Sequence, residues 1–96
     1  MFERHLFSGQ CFVPMSGGHL LLVVTSDDAV GQPAPTKAEA FLAGPGQAFD
    51  YHPGIWHAGL LAIGIPAVVA SLLCRDGSAG DVETVTLASP LHVDLP

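Results

Sequence analysis

The sequence predicts an all-β domain, a sandwich, jelly roll or small barrel of short antiparallel strands. Three observations carry this. Helix-breaking residues are spread along the whole chain, 11 Gly and 8 Pro in 96 residues. Between them lie short runs rich in Val, Leu, Ile and Phe. Turn-forming clusters such as Ser16-Gly17-Gly18, Pro53-Gly54 and Asp76-Gly77-Ser78 separate those runs.

In chain order, strands are expected at about Glu3–Phe7, Gln10–Met15, His19–Thr25, Gln47–His52, Ile55–Leu61, Val68–Cys74, Glu83–Leu87 and Leu91–Val93. His19–Thr25 holds the most continuous apolar run. Pro53-Gly54 suits the centre of a type II turn, with Pro presetting φ and Gly taking a positive φ. That turn is expected to fold the strand ending at His52 back onto the strand carrying His57. One segment reads differently. Thr36–Ala43 predicts a short helix, with Thr36 and Glu39 as a capping box and Gly44 just past its end.

Ninety-six residues make one domain, 1–96, and a chain of this size buries about 60–68% of its unfolded surface. Apolar residues are 49% and charged residues 12%, against about 25% charged in an ordinary soluble chain. Disorder is excluded, and the apolar surplus predicts an interface, read as a homodimer. Three cations against nine acids, net charge −6, exclude a nucleic-acid binder held by phosphate contacts. No apolar run reaches the roughly 18 residues of a membrane helix, and no secretory leader is expected. Cys11 and Cys74 sit in apolar runs and read as buried thiols of a cytoplasmic protein, with a disulfide as the alternative.

The residues able to do chemistry are few. Glu3 and His5 are two apart and share a face of a strand, while Arg4 points the other way. Gln10 follows the Ser8-Gly9 turn, which can bring it to the same face. His52 and His57 flank Pro53-Gly54. Histidine is the commonest metal ligand and titrates near neutrality. Glu3, His5, Gln10 and His57 form a candidate metal or substrate cluster. Imidazole with carboxylate or amide oxygen suits Ni, Mn, Fe or Zn, without choosing among them. Tyr51 and His52 are candidates for substrate clamping or acid–base work, with turn capping as the alternative for His52. Arg75 is a candidate carboxylate anchor, since guanidinium binds carboxylate in a bidentate manner. His19 and His92 read as surface residues, Trp56 as packing, and Asp27-Asp28 and Asp81–Glu83 as solvated turns.

The spacing Glu3-x-His5-x4-Gln10-x6-Gly17 resembles the first motif of the cupin superfamily, with Glu for its first His and Gln for its Glu. Gly46-x5-His52-x-Gly54-x2-His57 resembles the second, with His52 for its Pro and Leu61 for its Asn. Glu3-Arg4-His5, Gln10–Met15, Tyr51-His52, Trp56-His57 and Arg75 are further similar to the ureidoglycolate lyase family of cupins. The likeness corresponds to about the C-terminal half of a usual member. It implies a cupin-like jelly roll completed by dimerisation, and release of urea from ureidoglycolate to give glyoxylate in purine and allantoin breakdown. It implies a small carboxylate substrate. It also implies site roles: His52, His57 and Arg75 in catalysis, Glu3, Gln10, Tyr51 and Arg75 in substrate binding. A divalent metal would fall to Glu3, His5, Gln10 and His57. The competing expectation is a small non-catalytic cupin, a binding or assembly module.

Overall fold

The central strand explains the architecture. His19–Thr25 (β3) reads Leu-Leu-Leu-Val-Val through its middle, and such a run suits a strand covered on both faces. In the computed structural model, which describes residues 1–73 and 80–95, it is covered on both. Leu20 and Leu22 pack on one face with Ala43 and Tyr51. Leu21 and Val23 pack on the other with Phe2 and Trp56, whose side chains are essentially fully buried.

The other strands are Phe2–His5 (β1), Gln10–Ser16 (β2), Glu39–Ala43 (β4), Phe49–Tyr51 (β5), Trp56–Ala58 (β6), Leu61–Ile63 (β7), Val68–Leu73 (β8) and Val82–Val85 (β9). They form two antiparallel sheets packed as a cupin-like sandwich. One sheet has six strands in the order β4-β3-β6-β1-β9, with β7 pairing β3 beyond β6. The facing sheet has three, β5-β2-β8. The sheets are not closed into a barrel. Leu87, Leu91 and Val93 pack against the outer core of Phe2, Leu21, Val23 and Trp56. The expected strand over Leu91–Val93 is therefore a non-strand cover segment.

The expected helix over Thr36–Ala43 is not formed. Only Pro35–Lys37 makes a single 3₁₀ turn, and its flanking residue Ala34 offers no side-chain cap. Ala38 is already extended, at φ −64° and ψ 139°. Glu39–Ala43 then pairs with Leu20–Val24 over five residues. An eight-residue helix is marginal alone, whereas pairing with a buried strand satisfies both partners. The expected strand Ile55–Leu61 is two strands, β6 and β7, separated by Gly59-Leu60.

The Pro53-Gly54 turn has the predicted form. Gly54 lies at φ +84°, and the Ile55 amide donates to the His52 carbonyl at 3.2 Å. It does not close a hairpin, however. β5 pairs with β2 in one sheet, and β6 pairs with β1 and β3 in the other. The turn is a corner between the layers, tied to β1 by the Gly54 amide donating to the His5 carbonyl at 2.8 Å.

Candidate functional site

Strand pairing assembles the site. In β1 and β6, Glu3 lies directly opposite His57, so their side chains share a face, and alternation adds His5 to it. One donor atom from each of Glu3, His5 and His57 lies within 4.8 Å of the others. Both imidazoles are buried, and His5 Nε2 is 3.1 Å from Glu3 Oε1. From the facing sheet, the Tyr51 ring stacks on His57 with centroids 4.3 Å apart and planes 10° apart. The His5 ring lies 5.8 Å from that of His57.

Gln10 is opposite Tyr51 in the β2–β5 pair and turns toward the same interior. A cavity of about 330 Å³ is lined by Glu3, Gln10, Tyr51 and His57, with Phe12 and Leu60 as apolar walls. Among the described residues, His5 Nδ1 and Nε2, His57 Nε2, Tyr51 Oη and Gln10 Oε1 are buried without a hydrogen-bond partner. Each such orphan costs about 1–3 kcal/mol. His5 Nδ1 faces Asp81, and the other four mark a place built for a ligand rather than for stability.

Burial sets the protonation states. Desolvation lowers the His57 pKa from 6.5, more than the backbone hydrogen bond with Ala58 and the nearby Glu3 carboxylate raise it, so the ring is neutral at physiological pH with a free lone pair on Nε2. Desolvation also pushes the Tyr51 phenol up to about 12, which keeps its proton available for donation. The residues present fit a divalent metal. Two imidazoles and a carboxylate are a borderline donor set, and Nε2 of each imidazole is buried without a hydrogen-bond partner.

One expected site residue falls elsewhere. His52 is exposed, because alternation along β5 sends Phe49 and Tyr51 inward and Asp50 and His52 outward. It lines an outer cleft with Gln10, Asp50 and Pro53, apart from Glu3 and His57. Arg75 and Cys74 lie outside the described residues. Arg4 faces away from the site, as alternation predicts, and stacks on Trp56 at 4.3 Å. Its guanidinium donates to Glu83 Oε2 at 2.9 Å and to Asp27 Oδ1 at 2.7 Å. Asp27 also accepts from Trp56 Nε1 at 2.8 Å. Asp27 and Glu83 are thus ion-pair partners rather than solvated turns, and Asp81 is buried. His19 and His92 are exposed.

A family model described as ureidoglycolate lyase matches residues 1–94. The chain belongs to the ureidoglycolate lyase family. A ureidoglycolate lyase of Mesorhizobium japonicum is 32% identical over 96 residues, covering all of this chain and 56% of the relative. One of Rhizobium leguminosarum bv. trifolii is 35% identical over 98 aligned positions, with 55% of its length covered. One of Brucella ovis is 43% identical over 63 residues. The chain therefore spans about half the length of the ureidoglycolate lyases it matches along its whole length. Glu3, His5, Gln10, Tyr51 and His57 all lie within the span matched by the ureidoglycolate lyase family model.

Proposed function

We propose that this chain carries out ureidoglycolate lyase chemistry, releasing urea from ureidoglycolate to leave glyoxylate, in purine and allantoin breakdown. The observation that carries the reading is the set of buried, unpartnered polar atoms from His5, Gln10, Tyr51 and His57, drawn from two sheets, beside the Glu3 carboxylate. Family membership supplies the substrate class. A cytoplasmic location and a homodimeric assembly belong to the same reading. Among the described residues, no helix is long and apolar enough to cross a membrane.

The substrate is a carbinolamide bearing a carboxylate. Its hydroxyl proton goes to a base, the C–O bond becomes a carbonyl and the C–N electron pair leaves with urea nitrogen. That nitrogen takes up one proton, so the sum is a proton moved from oxygen to nitrogen. Glu3, His5 and His57 would hold a divalent metal, with the Gln10 amide oxygen as a further donor. Such a metal supplies Lewis-acid polarisation of a substrate oxygen when bound. The neutral His57 Nε2 serves one of two tasks, metal ligation or acceptance of the hydroxyl proton. Tyr51 donates a hydrogen bond to a substrate oxygen. No lysine or arginine among the described residues lines the cavity, and a metal or Arg75 is the counter-charge proposed for the substrate carboxylate. His52 lines the outer cleft rather than the cavity of Glu3 and His57.

The test is glyoxylate formed from ureidoglycolate by protein purified without chelator, assayed with and without added Ni, Mn, Fe or Zn. Wild-type protein is expected to turn over. His57→Ala is expected to lose activity by at least about 100-fold, the scale of a lost acid–base or ligand group, with melting temperature retained. A wild-type protein inactive with every metal removes the enzyme reading.

A further inference from the structure

Asp81 is an acidic residue in a turn, yet it is only 4% exposed. Its carboxylate is held on two sides. Oδ1 accepts from the Phe7 amide and Oδ2 from the Ser8 hydroxyl, both at 2.8 Å. Its carbonyl accepts from the Leu6 amide at 2.7 Å, which fixes the start of β9 against the end of β1. The third group facing this carboxylate is His5, whose Nδ1 lies 3.9 Å from Oδ2.

His5 therefore sits between two carboxylates, with different geometry at each nitrogen. Nε2 is close to Glu3 Oε1, yet it makes no hydrogen bond there. The oxygen lies beside the nitrogen rather than along an N–H direction, as two ligands of one ion lie beside each other. Nδ1 faces away from that cluster toward Asp81, and a modest approach of the ring would close this contact to a hydrogen bond. A neutral imidazole carries its proton on one of its two nitrogens, and a nearby fixed carboxylate decides which.

We propose that Asp81 is a positioning residue for His5, holding the proton on Nδ1 so that the Nε2 lone pair faces Glu3 and His57. The inference rests on the reading of His5 as a member of the site. The arrangement is a carboxylate behind an imidazole, which fixes ring orientation and tautomer and raises the basicity of the outward nitrogen.

The test is the histidine ring nitrogen spectrum of metal-free protein, at a pH where the imidazoles are neutral. Wild-type His5 is expected as the Nδ1–H tautomer. Asp81→Asn keeps the size and an acceptor for the Phe7 amide, and is expected to shift His5 toward Nε2–H. Ser8→Ala removes a hydrogen bond to the same carboxylate, and is expected to lower the melting temperature while leaving the tautomer unchanged. A wild-type Nε2–H tautomer, or an Nδ1–H tautomer that survives Asp81→Asn, overturns the proposal. Should Asp81→Asn not fold, the wild-type tautomer and Ser8→Ala still decide. Calorimetry with nickel or zinc adds a second readout: Asp81→Asn is expected to bind about 10–100-fold more weakly. Wild-type affinity in that variant counts against the proposal. A wild type that binds neither metal removes the metal assignment of the site, while the tautomer still judges Asp81.

Discussion

His57 is the residue on which the site turns, because three neighbours of different kinds meet it: Tyr51 by stacking, Glu3 across the strand pair and His5 beside it. Its lowered pKa makes a stability prediction. In the unfolded chain the ring titrates near 6.5, and in the folded protein below that. Between the two values the unfolded state binds more protons, so stability contributed by neutral His57 is complete above 6.5 and is lost as pH falls through that window. Metal-free protein is expected to show a melting temperature that drops on acidification from pH 7 to pH 5. His57→Gln is expected to flatten that dependence, and an identical slope in both proteins contradicts the assignment. At this same scale, part of the site was readable from spacing. Glu3 and His5 on one face, with Arg4 opposed, follow from strand alternation alone. His52 was not readable, since the local pattern shows a turn but not which sheet the next strand joins. Asp81 was not readable either, because its partners Phe7, Ser8 and His5 lie near the other end of the chain.

At the scale of elements, β4 is where local and long-range preferences conflict. Ala-Glu-Ala-Phe-Leu-Ala has good helix formers and a capping pattern, yet it is an edge strand on β3. Most other strands were legible because Gly and Pro punctuate them and because Val, Leu and Ile fill them. β4 was not, because what decides it is the free edge of Leu20–Val24, distant in sequence. The two conformations respond oppositely to one substitution. Ala40 is exposed and pairs with Val23. Ala40→Val would destabilise a helix by up to about 0.7 kcal/mol, but adds a β-branched cross-strand contact worth about 0.2–1 kcal/mol in a sheet. The expected outcome is a small rise in the denaturation midpoint. A fall of similar size would mean that β4 does not gain from strand propensity.

At the scale of the whole molecule, the two layers are unequal, and this asymmetry predicts assembly. A three-stranded sheet cannot cover a six-stranded one, so the face of β4 turned toward the interior is left open. Phe41, opposite Leu22 on that face, is 50% exposed. With Val24, Phe49 and Ile55 it borders an apolar groove of about 400 Å³. The outer edge of β4 also offers unpaired backbone groups, and Glu39 is its only charge. An open edge beside an apolar groove suits a second copy of the same chain, which covers both elements at once. The expected outcome is a dimer by sedimentation at micromolar concentration. Phe41→Lys places a charge in the groove without touching Glu3, His5 or His57, and is expected to give a monomer with the same strand content by circular dichroism. A stable wild-type monomer at that concentration rejects the dimer. A Phe41→Lys protein that stays dimeric moves the contact to another surface, of which the exposed Val68 and Leu72 on β8 are the next to test.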